Sequence, residues 1–531
     1  MRKSLYQFGY RRSPDQDRPS PARHPVVVVG AGPVGLCTAI DLAQRGVPVV
    51  LLDDADRIGE GSRGICYAKR TLEILARLGV AARCLEKGVT WKIGKVFQRD
   101  ELLYPFDLLP EDGHAMPAFI NLQQYYLEHF LVERAAELPH LDIRWRNKVT
   151  ATAPRNDGAT LTVETPEGAY DLQADWVAAA DGARSGLRRM LGLDFRGEVF
   201  EDRFLIADVK MRGDFPTERW FWFDPPFHEG RSALLHKQPD DVWRIDLQLG
   251  PEADAVEEQR PERVIPRLRQ MLGHDDFTVE WVSVYTFQCR RLERFVHGRV
   301  VFAGDAAHQV SPFGARGANS GIQDADNLAW KLALVVKGEA PAGLIDTYDL
   351  ERSAAADENI GHSTRSTDFI APRSAQELRF RDAALALARH TGFAKRMVNS
   401  GRLSMPSTYD TPLSTPDDDA WAGSARLGGP LPDAPLLDRQ GHPVWLLDAV
   451  GAEETVIHVP NGGTRPDAAR VLVVGEDVLD HEGHFARRYD ARPGSTYLVR
   501  PDQHLAARWR HPDPTALAHA SRRLRGWGDA P

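Results

Sequence analysis

Apolar positions along the chain fall into two repeating patterns that alternate. Residues 26–29 are four consecutive valines, and residues 47–52 and 300–302 are further unbroken apolar runs. Such runs predict strands buried on both faces, because a half-exposed strand would show polar residues at every second position. Between them apolar residues recur three or four apart: Leu36, Ala39, Ile40 and Ala43, then Leu127, Phe130, Leu131 and Ala135, then Ile322, Ala325, Ala329 and Leu332. That spacing puts one apolar stripe on a helix and predicts strand–helix–strand units on a parallel sheet. Further strand pieces are expected at 142–145, 160–164, 170–172 and 176–180, and a short amphipathic helix at 71–78.

From Phe204 to Phe287 the pattern changes to short strands at 219–223, 232–236, 243–249 and 280–287, separated by turn signals such as Asp224-Pro225-Pro226. This predicts a mostly antiparallel sheet inserted into the parallel unit. Its tryptophans and phenylalanines, Trp222 and Phe223 among them, supply an aromatic wall suited to a planar ligand. Helices are expected at 342–355 and 375–400. A Pro-, Ser- and Asp-rich connection follows at 407–427, then strands at 444–447, 454–458, 469–474 and 495–499 in a small α/β unit.

The first valine run leads into Gly30, Gly32 and Gly35 in G-x-G-x-x-G spacing, and the next strand ends at Asp53, 23 residues beyond Gly30. A glycine turn feeding a helix N-terminus admits a pyrophosphate, and an acid at the end of the second strand bonds a ribose. The run at 300–302 leads into Gly304, Asp305, Pro312, Gly314 and Gly317, a second junction where backbone can approach a ligand closely. Asp181, Gly182, Arg184 and Ser185 form a third turn, and Gln124 stands in the first turn of its helix.

Composition narrows the class. With 531 residues, 42% apolar and 27% charged, the chain needs two to four domains. A net charge of −9 without a basic run argues against nucleic acid. Four scattered cysteines without C-x-x-C predict neither a disulfide framework nor a metal site. No apolar run reaches the roughly twenty residues of a membrane span. The polar N-terminal stretch reads as a solvated tail rather than a signal peptide, so a cytoplasmic protein is expected.

Together, Gly30–Gly35, Asp181-Gly182 with Arg184-Ser185, Gly304-Asp305-Ala306-Ala307-His308 and Pro312-x-Gly314-x-x-Gly317-x-Asn319 resemble the single-component FAD-dependent aromatic hydroxylases of the para-hydroxybenzoate hydroxylase and phenol hydroxylase type. Within that family the chain looks most similar to the 3-(3-hydroxyphenyl)propionate hydroxylases, on residues 220–228 and its extra C-terminal unit. The implied fold is α/β and α+β. A Rossmann-like FAD-binding domain (25–203 and, with helices, 296–400) follows a flexible tail (1–24). A substrate-binding β-sheet domain (204–295) is inserted, and a linker (401–427) leads to a thioredoxin-like domain without C-x-x-C (428–531).

The resemblance also implies the chemistry. NADH or NADPH reduces FAD, O2 adds to form a flavin C4a-hydroperoxide, and a phenolic ring is hydroxylated, in aromatic catabolism. It places Asp53 on the adenosine ribose, Arg63 and Gln124 by the pyrophosphate and ribityl chain, and Asp305 at the ribityl or phosphate end. Pro312, Gly317, Ala318 and Asn319 are placed at the flavin ring, and Asp181 and Arg184 beside FAD and the nicotinamide. Arg316 stands where many relatives have glutamine and is expected near substrate or nicotinamide. His236 and Tyr285 are the candidate bases for the phenol, with His308 a packed alternative; Trp222 and Phe223 are candidate substrate contacts. Arg219, Arg231 or Arg244 would suit a carboxylated phenol, and a homodimer is a further expectation. Three other readings compete: a halogenase, suggested by Trp220-x-Trp222; a flavin-binding protein without turnover; and a dehydrogenase binding NAD at Gly30.

Overall fold

A computed structural model describes residues 6–59, 64–213, 215–398, 404–417, 419–463 and 465–528. Arg63 therefore lies outside the described residues. The valine run forms strand Ala22–Val29, at the centre of a sheet ordered 296–297, 300–302, 168–179, 22–29, 49–53, 141–145. Val26–Val29 pair in parallel register with residues 49–52 on one side and 176–179 on the other. The core valines are almost wholly buried, as the unbroken apolar run requires. Helices Pro33–Gln44 and Gly317–Val336 pack together, and Tyr348, on helix Leu344–Ile370, donates its hydroxyl to Phe302 O (2.7 Å).

The second sheet is larger than the sequence indicates. Its order is 308–309, 278–291, 196–210, 242–248, 232–237, 219–223, 93–98, 101–107. Two of its strands come from residues 93–107, and the first of them pairs in parallel with Arg219–Phe223. The expected boundary at 204–295 thus omits the hairpin that closes one edge and the short strand His308–Gln309 at the other. Alternation decides which residues face which way. Leu205, Ala207, Trp222, Leu235 and Ile245 line the outer face and pack with Val264 and Leu268 of helix Pro261–Leu272. Phe204, Phe223 and Phe287 line the inner face with Phe313.

The N-terminal segment is no flexible tail from residue 6 onward. Ser13 caps a 3-10 turn at Pro14–Asp17, and Phe8 stacks on Trp145 with ring centroids 4.3 Å apart. Asp15 is buried against Arg144 (2.7 Å) and His24 (2.8 Å). Polar composition concealed this, because a buried ion pair and a solvated one look alike in sequence. Although burial alone would raise it, the Arg144 guanidinium holds the Asp15 carboxyl below its ordinary range. Arg144→Leu is expected to cost about 3 kcal/mol in a denaturant melt, because a buried carboxylate loses its cation.

At the C-terminal end a four-stranded sheet is ordered 471–473, 455–458, 496–499, 505–509, followed by helix Pro514–Leu524. Among the described residues no helix joins the parallel strands Thr455–His458 and Val471–Val473, and a thioredoxin-like subdomain is not evident. The expected linker is anchored as well: Tyr409 and Leu413 are buried, and Asp417 pairs with Arg508 (2.6 Å). A fully buried ion network ties this region to the rest. Arg500 reaches both oxygens of Glu351 (2.9 Å each) and also Asp502 (2.7 Å), while Lys331 reaches Glu351 at 2.8 Å. Arg70 donates to Asp502 O (2.6 Å). No helix among the described residues is long and apolar enough to cross a membrane.

Candidate active site

Glycine is required in the first turn. Gly30 has φ +104°, and a Cβ there would lie 2.4 Å from Ala180 O; a Cβ at Gly35 would lie 1.8 Å from Gly30 O. Gly32 caps helix Pro33–Gln44 in extended backbone, and a Cβ there would meet nothing within 4 Å. Open space therefore fronts a helix N-terminus, whose unpaired N–H groups suit an anion. Asp53 closes the second strand and accepts from Ala31 N (2.6 Å) and Ala55 N (2.8 Å); burial raises its pKa. Asp181 accepts from Leu187 N (3.0 Å) through one oxygen, while the other is buried without a partner. Open space at the glycine turn and an orphaned acid beside it fit a dinucleotide cofactor such as FAD.

Gln124 accepts from Gly64 N (3.0 Å) and donates to Glu128 (2.7 Å), which itself accepts from Gly59 N (2.7 Å). The pair thus holds the backbone N–H groups of Gly59 and Gly64, the described residues on either side of 60–63. Arg184 is exposed, as is Asp305 at the turn after strand Val300–Phe302. Gly304 has φ +60°, and its N–H donates to Asp324 (2.9 Å). Asp324, which sequence reasoning missed, is fully buried on helix Gly317–Val336. It also bonds His308 Nε2 (2.7 Å) and Arg352 Nε (2.6 Å). His308 stacks on Phe295 and holds the turn.

Opposing its burial, the surroundings of Asp324, led by His308 and Arg352, hold its pKa below the ordinary carboxylate value. A lowered folded pKa adds stability that is present at neutral pH and lost as pH falls through the folded value, below about 4. The thermal midpoint is expected to fall at acid pH with release of FAD fluorescence, and Asp324→Asn should weaken that dependence while lowering the midpoint at neutral pH.

The loop Pro312–Gly314 runs through Ala315, at φ +51°, into helix Gly317–Val336, whose first N–H bonded back to Arg316 O is that of Ser320 (2.7 Å). The N-terminal N–H groups at Gly317, Ala318 and Asn319 precede it. The side chain of Asn319 is held by protein partners. It is 1% exposed, accepting from Ala68 N (2.9 Å) and Thr71 Oγ1 (2.6 Å) and donating to Cys66 O (2.9 Å). Arg316 is buried too, donating to Asn359 (2.7 Å) beneath Gly314 rather than reaching toward a ring.

The inner sheet face meets this loop. Cross-strand register places Arg219, His236, Arg244, Asp208 and Trp281 in one row. Arg219 donates to Phe313 O (3.4 Å), Arg244 pairs with Asp208 (2.8 Å), and His236 Nδ1 lies 3.8 Å from Cys66 Sγ. Burial, with both arginines, pushes the His236 imidazolium well below its ordinary pKa. Tyr285 and Phe223 lie farther along the same face with Phe204 and Phe313. Trp222 does not belong here. It faces outward, stacked on Phe97 at 5.2 Å, and Trp220 lies beside it. The two tryptophans that prompted the halogenase reading thus sit on the side of the sheet away from the loop Pro312–Gly314. Arg231 lies over Gly250. The row was hidden in the sequence because its members come from five strands and only register aligns them. Among the described residues no group of His, Cys, Asp and Glu is arranged to hold a metal ion.

Residues 23–363 match the family model described as FAD binding domain. Among curated relatives, 6-methylpretetramide 4-monooxygenase of Streptomyces rimosus is 31% identical, the match covering 95% of this chain and 93% of that one. The 3-(3-hydroxy-phenyl)propionate/3-hydroxycinnamic acid hydroxylase of Mycolicibacterium smegmatis is 28% identical, over 92% and 91%. These values do not single out the phenylpropionate group that the sequence motifs suggested. The flavin-dependent monooxygenase PieE, solved with FAD and substrate, superposes with a TM-score of 0.82 over 96% of this chain and all of that one at 24% identity, and so shares the fold. The glycine turn, the D-G turn and the G-D loop all lie inside the matched span, and this chain belongs to the FAD-binding-domain family as an FAD-dependent, NAD(P)H-linked aromatic monooxygenase.

Proposed function

We propose that the protein hydroxylates a phenolic ring held between the inner sheet face and the loop Pro312–Gly314. The observation that carries this is the bond from Arg219, on the sheet, to Phe313 O, on the loop: it brings a polar row and an aromatic cluster to one junction. When bound, FAD supplies electron transfer from NAD(P)H to O2 and delivery of one oxygen atom to the ring.

The chain's own work is to bind, orient and exclude water. In this reading Asp53 holds the adenosine ribose, and the N-terminus after Gly32 faces the pyrophosphate. Gln124 borders the ribityl chain, and Asp305 and Asp181 complete the cradle. The N–H groups of Ala318 and Asn319 meet the pyrimidine edge, and exposed Arg184 is the nicotinamide-side cation. Phe223, Phe204 and Phe313 shield the reacting carbon from water, which protects the activated oxygen from loss as peroxide. His236 is the proton acceptor nearest the loop, and Tyr285 a polar contact deeper on the same face. We assign residues 25–203, without the hairpin at 93–107, and 296–400 to cofactor binding, and the sheet, widened to include 93–107, to substrate.

The 31% relative is named for action on a pretetramide and the 28% relative for a phenylpropionate, so both multi-ring and single-ring phenols belong in the test. The expected result is NAD(P)H oxidation stimulated at least about tenfold by one phenol class over the basal rate, with stoichiometric hydroxylated product. Oxidation that no phenol stimulates would sink the phenolic reading.

A further inference from the structure

Three polar atoms on the inner sheet face are buried without a partner: Arg219 Nη1, His236 Nε2 and Asp246 Oδ1. Buried polar groups are nearly always paired, so one unmet guanidinium nitrogen and one unmet imidazole nitrogen on directly paired residues call for a ligand. The two residues are 8% and 3% exposed, and they stand beside the cofactor loop.

The hydrogen bonds around His236 decide what kind of ligand. Trp91 Nε1 donates to Asn121 Oδ1 (2.8 Å), and Asn121 Nδ2 donates to Lys237 O (2.7 Å), which fixes the orientation of the amide. The Cys66 thiol donates its one proton to the same Oδ1 (3.1 Å). Burial raises that thiol to about 11, so it keeps its proton. Its sulfur can then only accept from His236, which places the ring proton on Nδ1 and leaves a lone pair on Nε2. Arg219 Nη1, in contrast, offers an N–H.

One oxygen that serves both must donate to Nε2 and accept from Nη1. A hydroxyl does this; a carboxylate has no proton for Nε2. The charge balance points the same way. Arg219 and Arg244 are offset by Asp208 and by Asp246 on the same face, which burial raises only to about 6, so this face carries no net positive charge to attract an anionic ring substituent at neutral pH.

We propose that His236 Nε2 and Arg219 Nη1 together recognise a ring hydroxyl of the substrate, selecting a neutral hydroxyarene over an aromatic acid at this position. The inference rests on the phenol-hydroxylating reading and names its substrate class.

The test titrates the oxidised holoenzyme with a naphthol and with the naphthoate substituted at the same ring position, following the flavin absorbance. The naphthol is expected to bind about a hundredfold more tightly, since a site built around a hydroxyl strongly rejects an analogue lacking it. His236→Phe should bring the two affinities within a few-fold of each other. Equal affinities, a tighter naphthoate, no response to either ligand, or an unchanged ratio in a folded His236→Phe protein would overturn the proposal. The wild-type ratio needs no variant, so a misfolded substitution does not shield it. Oxygenated product from the naphthoate but not the naphthol would sink the subsite and leave the monooxygenase standing. A tightly bound naphthol that is never oxygenated would do the reverse.

Discussion

Gly35→Ala is expected to abolish FAD binding and leave little folded protein, whereas Gly32→Ala is expected to fold normally and bind FAD weakly. The two glycines are three residues apart in one turn, yet their surroundings differ. A methyl group at Gly35 would sit 1.8 Å from the Gly30 carbonyl, a backbone contact with no flexible side chain to give way, so the turn itself must break. A methyl group at Gly32 meets no protein atom within 4 Å, and the backbone there has an ordinary negative φ. It intrudes only on the space in front of the helix N-terminus. Apo Gly32→Ala is therefore expected to keep the wild-type thermal midpoint, with a Kd for FAD raised about ten- to hundredfold. If the Gly32 variant bound FAD as wild type does, the pyrophosphate would not lie at this turn.

The second large effect is on stability. Arg500→Met is expected to cost about 3–5 kcal/mol, because it leaves Glu351 and Asp502 buried with too few cations. Both carboxylates are fully buried, and Arg500 contacts each through two bonds. Arg500→Lys keeps the charge but cannot fork to both oxygens of Glu351, so it should recover only part of the loss. The loss is expected to reach the cofactor. Glu351 and Arg352 are neighbours on helix Leu344–Ile370, and Arg352 bonds the Asp324 that holds Gly304. A denaturant melt followed by both tryptophan and flavin fluorescence checks this: the two signals should move together to lower denaturant in Arg500→Met. A flavin transition that stays at its wild-type midpoint would show that the C-terminal unit does not support the cofactor loop.

The cofactor half of the molecule could be read in the sequence because its signals are local. Parallel strands buried on both faces appear as unbroken runs, 26–29 and 300–302, and the glycine turn follows each at once. The substrate half could not be read to the same depth. Period-two alternation says that Trp222 and Phe223 face opposite sides of their strand, but not which side meets the cofactor. That choice depends on helix Pro261–Leu272 covering the outer face, and its contacts with the sheet are tertiary. The hairpin at 93–107 was missed because its place in the sheet depends on a parallel pairing with 219–223, across more than a hundred residues. Asp15, Asp324 and Arg500 were invisible for another reason. A charged residue in sequence carries no mark of whether water or a counter-charge satisfies it. Asn319 shows a related limit: the motif marks the position, but not that its amide holds Ala68, Thr71 and Cys66 in place.

In the proposed reaction one atom of O2 enters a phenolic ring. The most direct test incubates the FAD-loaded protein with NADH or NADPH, isotopically heavy O2 and a panel of single- and multi-ring phenols, and weighs the products. One panel member is expected to yield a product that carries one heavy oxygen atom, formed in step with nicotinamide oxidation. Hydrogen peroxide as the sole product across the panel, or a hydroxyl oxygen drawn from water, would contradict it.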